Sequence, residues 1–222
     1  MKIIARIHND FDSKFGIPRQ SNVVQELKGR IVFEPEYRNE AALRGIEGFD
    51  YLWLIWQFSE AVRDKWSPTV RPPILGGNTR VGVFATRSPF RPNAIGLSSV
   101  KLEKVELHTP EGPVLHISGA DLMNGTPILD IKPYLAYVDS HPEAAQGFRG
   151  QGWKRKLQVN FPSELLAKIP LEKQAGLLGV LENDPRPTYQ EDAQRIYGMS
   201  FGGQEIKFQV SDGILQVVAI EG

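Results

Sequence analysis

The chain has no cysteine and only four histidines among its 222 residues. The absence of cysteine excludes disulfides, thiolate nucleophiles, iron–sulfur clusters and zinc sites built on thiolates. None of the four histidines has a partner at the spacing typical of metal ligands; they are His8, His108, His116 and His141. We therefore expect no metal site.

Long apolar runs are also missing, so no segment reaches the length of a membrane-spanning helix. The first residues, MKIIARIHNDFDSK, have an apolar run interrupted by Arg6 and His8, which is too short and too polar for a signal peptide. We expect a cytoplasmic protein with no membrane partner.

The formal net charge is zero, from 26 basic and 26 acidic residues. A protein that coats nucleic acid without specificity would be basic overall. The charge is uneven, however, because residues 61–102 contain seven basic residues and one acid, a net charge of +6. A local basic region on a neutral protein suits one specific anionic partner.

Two common catalytic motifs are absent. There is no G-x-S-x-G sequence, Ser88 has no evident base beside it, and Ser98 and Ser99 lie in strand-like sequence where packing is the simpler interpretation. The glycines of LGGNTRVG do not lie between a strand and a helix, as a dinucleotide-binding loop requires. A nucleophilic hydrolase and a Rossmann-type enzyme are therefore disfavoured.

The patterns that are present predict a mainly β protein with a β-rich N-terminal domain and a small α+β C-terminal domain. Predicted strands and helices cover 2–8, 23–33, 37–44 (helix), 49–58, 81–85, 95–107, 113–118, 128–131, 153–161, 163–182 (helix, broken near Pro170) and a meander over 195–220. The stretch 67–80 is a long Pro/Gly-rich loop. The predicted boundaries are a domain over 1–139, a linker over 140–152 and a second domain over 153–222.

The segment from Phe49 to Phe58, FDYLWLIWQF, is the strongest strand, and both of its faces are apolar. Such a strand is expected to be buried on both sides, as in a barrel. Tyr51 and Trp53 are interpreted as core residues, whereas for Trp56 both core packing and stacking on a base stay open.

A stiff loop carries two arginines. In GVFATRSPFRPN, residues 82–93, Pro89 and Pro92 restrict the backbone around Arg87 and Arg91. The loop either recognises an anionic or planar group or is a surface turn whose arginines pair with carboxylates.

Two aspartates, Asp121 and Asp130, flank the Asn124-Gly125 turn signal. They either cap turns or recognise a ribose hydroxyl or a cation. Lys132 and Tyr134 would share a strand face with Asp130.

These motifs together resemble the TsaA/TrmO family of tRNA methyltransferases, which act on N6-threonylcarbamoyladenosine next to the anticodon. The resemblance rests on the arginine loop followed by IGLS, on FGIPRQ, EGFDYLWLIWQF, RPPILGGN and DLMNGTPILDIKPYL, and on DPRPTY near the C-terminus.

The resemblance implies a small non-Rossmann β-barrel that binds S-adenosylmethionine, a homodimer, and tRNA contacts made in part by the C-terminal domain. The cofactor contacts that it carries over are Pro18, Arg19, Gln20, Trp56, Gln57, Arg87, Leu97, Asp121, Leu122, Met123 and Asn124. The candidate catalytic residues are Arg87, Asp130 and Tyr134, and the last two are the candidate proton acceptors. Arg91 or Lys132 would bind the threonyl carboxylate. A non-catalytic module that binds RNA or a nucleotide is the main alternative.

Overall fold

The computed structural model describes residues 1–61, 65–148, 156–187 and 192–222, and its largest element is a closed barrel of six antiparallel strands. The barrel strands are β1 (Ala5–His8), β2 (Lys28–Phe33), β3 (Tyr51–Gln57), β6 (Ile95–Glu106), β7 (Val114–Ser118) and β8 (Pro127–Pro133). They neighbour one another in the order β1-β2-β7-β6-β3-β8, and β8 closes on β1. The predicted non-Rossmann barrel is confirmed.

The barrel interior is filled from alternate residues of each strand. In β3, Leu52, Leu54 and Trp56 are buried in the core, while Tyr51 and Trp53 lie on the outer face and are only partly covered. The expectation of burial on both faces therefore holds only for the inner one. The core assignment of Tyr51 and Trp53 is therefore wrong. For Trp56, where both alternatives were open, the structure shows packing in the core.

The second domain is a four-stranded sheet covered by helices. Its strands are β9 (Gln158–Asn160), β10 (Tyr197–Phe201), β11 (Gln204–Ser211) and β12 (Ile214–Glu221), in the order β10-β11-β12-β9 with β9 parallel to β12. The helices are α2 (Ser163–Leu166) and α3 (Leu171–Glu182), which follow the short α1 (Ala136–Asp139) and are separated by the expected break at Pro170. The hairpins turn at Gly202-Gly203 and Asp212-Gly213, as their turn signals indicate.

The core of this second domain includes side chains from the beginning of the chain. Phe11, Val24 and Leu27 are buried in it, and the Phe15 ring stacks on Phe208 with centroids 6.4 Å apart. All four belong to residues 9–27, which connect β1 to β2 and which we call the N-terminal loop. The domain limits predicted from sequence stay a prediction, and this loop packs across them.

Besides strands that are shorter than predicted, such as β1 and β9, three predicted elements differ from the observed ones. The strand expected over 23–33 begins only at Lys28, because Val24 and Leu27 turn away into the second core. The helix expected over 37–44 is a series of 3₁₀ turns, one of which is capped by the Asn39 side chain. Residues 81–85 form β5 (Val81–Gly82), paired with β4 (Thr69–Val70), and then a 3₁₀ turn.

Parts of the predicted linker and of the strand expected from Trp153 lie outside the described residues. Within the described ranges, no helix is both long enough and apolar enough to cross a membrane.

Gly16 shows how closely the N-terminal loop lies on the second domain. Its φ is +95°, and a methyl group there would come within 2.7 Å of Cγ of the buried Met199. We expect Gly16→Ala to lower the free energy of unfolding by about 2–4 kcal/mol, from the left-handed backbone and the overlap together. Gly45 is the matched control, because its φ is +87° and a methyl group would meet nothing within 4 Å.

Urea denaturation measures both variants. We expect Gly45→Ala to lose about 1–2 kcal/mol, which is the backbone term alone. Equal losses would show that the loop does not depend on contact with Met199.

Candidate active site

A cavity of about 810 Å³ lies where the barrel, the N-terminal loop and the arginine loop meet. The N-terminal loop supplies Pro18, Arg19 and Gln20, the end of β3 supplies Trp56 and Gln57, β6 supplies Leu97, the arginine loop supplies Arg87 and Arg91, and the segment before β8 supplies Asp121 and Met123. Its wall therefore combines aromatic, amide, cationic and carboxylate groups.

A second cavity of about 640 Å³ adjoins the first and shares Arg19, Gln20, Arg87 and Arg91 with it. Six basic side chains line it, and none of its described lining residues is acidic; the six are Arg19, Lys65, Arg71, Arg80, Arg87 and Arg91. Trp66, Phe90 and Phe148 add aromatic surface. This composition suits an anionic ligand that carries planar groups.

Arg91 holds the arginine loop in shape. Its Nη1 donates hydrogen bonds to the carbonyls of Val83 at 3.3 Å and Thr86 at 2.7 Å, and its guanidinium lies 5.7 Å from the centre of the Phe84 ring. Among the described residues, no ion pair joins Arg87 or Arg91 to a carboxylate, although the Arg87 charge influences the carboxyl of Asp121. The surface-turn interpretation, which requires paired carboxylates, is therefore disfavoured.

Hydrogen bonds connect this loop to the second domain. Arg87 donates to the Gln20 amide oxygen, and Arg19 Nη2 donates to the carbonyl of Arg186 at 3.2 Å. The Arg186 guanidinium is itself held by both oxygens of Asp184, at 2.8 and 2.9 Å, with both side chains nearly buried. The second domain thus fixes the position of an arginine that lines both cavities.

A chain of hydrogen bonds reaches from the barrel core into the first cavity. The Trp56 indole donates to Ser98 Oγ at 3.0 Å, and Ser98 Oγ donates to Asp121 Oδ1 at 2.5 Å. Burial raises the pKa of the Asp121 carboxyl above its ordinary value, although the Ser98 hydrogen bond and the Arg87 charge oppose that rise. Asp121 therefore combines a cavity position with an altered acidity.

Comparison with known proteins agrees with this arrangement. The family model described as the tRNA-methyltransferase O N-terminal domain matches residues 6–140, and the model of the TrmO C-terminal domain matches residues 154–222. The chain belongs to the TrmO family.

Two TrmO relatives are named tRNA (adenine(37)-N6)-methyltransferase. The one from Escherichia coli K12 is 37% identical over 226 residues, covering 98% of this chain and 96% of the relative. The one from Eikenella corrodens is 44% identical over 178 residues, covering 78% and 99%. Further relatives from Pseudomonas aeruginosa and Pyrococcus abyssi carry S-adenosylmethionine in their names.

Solved TrmO structures share the whole fold. A crystal structure of TrmO from Pseudomonas aeruginosa superposes with a TM-score of 0.77 at 29% identity, covering 99% of this chain and 97% of that one. The two-domain arrangement is therefore that of TrmO throughout.

Nine of the cofactor contacts implied by the TrmO resemblance line the first cavity. They are Pro18, Arg19, Gln20, Trp56, Gln57, Arg87, Leu97, Asp121 and Met123. Leu122 does not, because its side chain is 1% exposed in the barrel core. Asn124 instead joins the turn to the N-terminal loop, accepting from the Asn9 backbone at 3.3 Å and donating to Asp12 at 2.9 Å.

Asp130, Lys132 and Tyr134 line neither cavity. In the β3–β8 register, Asp130 pairs with Ile55 and Lys132 with Trp53, so both side chains lie on the outer face of the barrel. Asp130 and Lys132 form an ion pair at 3.0 Å, and Tyr134 packs against Trp53. Arg91, in contrast, lines both cavities.

Sequence reasoning missed two features of this site. Ser98 was interpreted as a packing position, yet it is 1% exposed and joins Trp56 to Asp121. A polar residue on the inward face of β6, two positions from buried Gly96, was the signal that could have revealed it. Trp66 gave no such signal, because only folding of the long loop brings it to the second cavity.

Within the described residues, no group of three or more acidic or histidine side chains is placed to hold a metal ion. Metal independence stays a prediction.

The buried Asp184–Arg186 pair gives a stability test. Asp184→Asn leaves a nearly buried guanidinium without its charged partner, so we expect a loss of about 3 kcal/mol or more in the free energy of unfolding. The control is Glu182→Gln, which removes an exposed ion pair of similar length, 2.9 Å to Lys156, in the same domain. That variant should lose no more than about 1 kcal/mol.

Thermal and urea denaturation compare the two variants. A loss for Asp184→Asn as small as that for Glu182→Gln would contradict a structural role for the buried pair.

Proposed function

We propose that this protein transfers the methyl group of S-adenosylmethionine to N6 of an adenosine in tRNA, and that this nitrogen carries a threonylcarbamoyl group. The observation that carries the proposal is the pair of adjoining cavities, one with mixed walls and one lined by six cations. Membership of the TrmO family supports the same reaction.

The first cavity fits the cofactor by size and chemistry. A volume of about 810 Å³ accommodates a nucleoside joined to an amino acid. Pro18, Trp56 and Leu97 offer apolar surface to an adenine ring, and the Gln20 and Gln57 amides offer hydrogen bonds. Arg19 and Arg87 are suited to the carboxylate of the methionine portion. S-adenosylmethionine, when bound, supplies an electrophilic methyl group on a positively charged sulfur.

The second cavity fits the anticodon loop of a tRNA. Its cations can neutralise phosphates, and its aromatic side chains can stack on unpaired bases. Trp66 and Phe84 are 50% and 71% exposed, with ring centroids 6.0 Å apart, so both offer an open aromatic surface beside the cations. Arg91 lies at the junction of the cavities, where the threonyl carboxylate of the substrate would meet it.

Catalysis on this proposal depends chiefly on position. The N6 lone pair of the modified adenosine is delocalised into a urea-like group, so its nucleophilicity is low. Holding N6 at near-attack distance from the methyl group offsets much of that disadvantage. The Arg19–Arg186 and Arg87–Gln20 hydrogen bonds serve this purpose by fixing the walls between the two cavities.

The homodimer and the tRNA contacts of the C-terminal domain, which the resemblance implies, belong to the same proposal. So does the cytoplasmic location, which is expected from the sequence. Of the motif DPRPTY, the structure describes the first four residues, 184–187. The alternative, a non-catalytic module that binds RNA or a nucleotide, does not require a cofactor-sized cavity and a cationic cavity side by side.

A direct assay tests the proposed reaction. We expect incubation with S-adenosylmethionine to add one methyl group to tRNA that carries threonylcarbamoyladenosine, and none to the same tRNA without that modification. Nucleoside mass spectrometry reads the product, and an excess of chelator should leave the yield unchanged.

Modified tRNA that gains no methyl group while still binding the protein would favour the non-catalytic alternative. If activity disappeared with chelator and returned with a divalent metal, the prediction of metal independence would be wrong, while the proposed methyl transfer would stand.

The roles of individual cations separate in a salt series. Arg71→Gln should weaken the binding of modified and unmodified tRNA alike. It should also reduce the slope of log affinity against log salt concentration by about one unit, as expected for a lost phosphate contact. Arg91→Lys should lower the affinity for modified tRNA selectively, by roughly tenfold, because an ammonium group cannot form the bidentate contact that a guanidinium makes with a carboxylate.

Lys132→Gln is the control, since Lys132 is paired with Asp130 outside both cavities. Filter binding with both tRNAs gives the comparison. If the Lys132 variant lost affinity for modified tRNA selectively and the Arg91 variant did not, the threonyl carboxylate would bind on the outer face of the barrel.

A further inference from the structure

Among the described residues, two acidic side chains line the first cavity, Glu60 and Asp121. Glu60 is exposed and forms an ion pair with Lys14 at 3.1 Å. Asp121 is partly buried, and in the part of the chain that the structure describes no cationic side chain forms an ion pair with it, although the Arg87 charge acts to lower the pKa of its carboxyl. Asp121 is thus the carboxylate of this cavity that keeps its capacity to accept a proton.

The hydrogen bonds around Asp121 fix its orientation. Ser98 Oγ accepts a hydrogen bond from the Trp56 indole N–H at 3.0 Å, so the hydroxyl of Ser98 donates to Asp121 Oδ1, 2.5 Å away. A buried indole and a serine that is 1% exposed therefore position one oxygen of the carboxylate. The nearby backbone N–H groups of Ser21 and of Asp121 itself also act to lower the pKa of the carboxyl.

We infer that Asp121 is the catalytic proton acceptor of the methyl transfer and that Ser98 is the positioning residue that holds it; the inference rests on the proposed function. The N6–methyl bond forms as the methyl–sulfur bond breaks, and the electron pair of the broken bond stays on sulfur. The N6 proton passes to the Asp121 carboxylate and leaves to solvent after the products depart. Charge balances, since one cation and one carboxylate become a neutral thioether and a neutral acid.

The two proton acceptors suggested by sequence do not reach this cavity. Asp130 is paired with Lys132 on the outer face, and Tyr134 packs against Trp53 there. Asp121 lies in the same cavity as the cofactor contacts and next to the loop that carries Arg91 into the second cavity.

The acidity of Asp121 suits this role. Burial raises the pKa of its carboxyl, which makes the carboxylate a stronger base, while the Ser98 hydrogen bond, two backbone N–H groups and the Arg87 charge limit the rise. The base is active when ionised, so the methylation rate should fall as pH falls through this pKa. Removal of the Ser98 hydroxyl removes a stabilising contact of the carboxylate and should move that fall to higher pH.

The experiment compares Asp121→Asn, Ser98→Ala and Glu60→Gln in the full chain with modified tRNA. We expect Asp121→Asn to lower kcat by about 100-fold or more at saturating cofactor, in the range of general base catalysis. Because Asp121 also lines the cofactor cavity, the variant's affinity for S-adenosylhomocysteine, measured by calorimetry, should fall by a much smaller factor, of about tenfold at most. Glu60→Gln should leave the pH profile of kcat unchanged. Ser98→Ala should retain activity at high pH and should shift the acidic limb of the pH profile of kcat to higher pH.

A readout independent of turnover is the ¹³C titration of the Asp121 carboxyl in the cofactor-free protein. The parent should titrate above the ordinary aspartate range, and Ser98→Ala higher still. Retained affinity for S-adenosylhomocysteine also shows that each variant is folded.

Each contrary result has a distinct meaning. Asp121→Asn with near-parent kcat overturns the inference alone. A loss of S-adenosylhomocysteine affinity that accounts for the whole loss of activity makes Asp121 a cofactor ligand and also overturns it. A parent protein that methylates no tRNA overturns the proposed function, and the inference with it.

Discussion

The N-terminal loop, residues 9–27, is the constraint on which the geometry of both cavities depends. It is covalently part of the barrel, because it connects β1 to β2. By packing it belongs to the second domain, through Phe11, Val24 and Leu27. Its middle, Pro18 to Gln20, forms part of the cavity wall. Any displacement of the second domain would therefore move cavity residues.

Trp56 has an equivalent role inside the barrel. Its indole packs so closely on β6 that a methyl group at Gly96 would come within 2.6 Å of a ring carbon, so only glycine leaves room for it. The indole N–H is satisfied by Ser98, whose hydroxyl then serves Asp121. A buried donor without such a partner would be costly, since unpaired polar groups in a core lose about 1–3 kcal/mol. The same residue thus closes the barrel and orients the carboxylate at its end.

The fold could be predicted from sequence wherever a local signal dictates it. A continuous apolar run indicated β3, the Gly-Gly and Asp-Gly turn signals indicated the C-terminal hairpins, and Pro170 indicated the break before α3. Three residues of the first cavity, Arg19, Arg87 and Asp121, were indicated by the resemblance to the TrmO family, which rests on contiguous motifs. Each lies in a loop whose stiffness is encoded by proline and glycine.

What could not be predicted depends on strand register and on contacts between distant segments. The orientation of Trp56 follows from its pairing with Gly96 and from an irregularity in the β3–β8 pairing between Ile55 and Trp56. The same register places Asp130 and Lys132 on the outer face. A one-residue change in register would exchange the two faces, so periodicity alone cannot decide which is which. The contact between Arg19 and Arg186 joins residues 167 positions apart and has no local signature.

If the proposed function is correct, the distribution of charge serves both tRNA binding and methyl transfer. The protein has no net charge, yet six cations line one cavity and a partly buried carboxylate lies in the other. The cations would attract phosphates and also favour negative charge that develops on the urea-like group as N6 loses its proton. The carboxylate would accept that proton, and its own negative charge would disappear as the positive charge on sulfur does. Because both charges vanish together, a partly dehydrated cavity favours the reaction instead of opposing it.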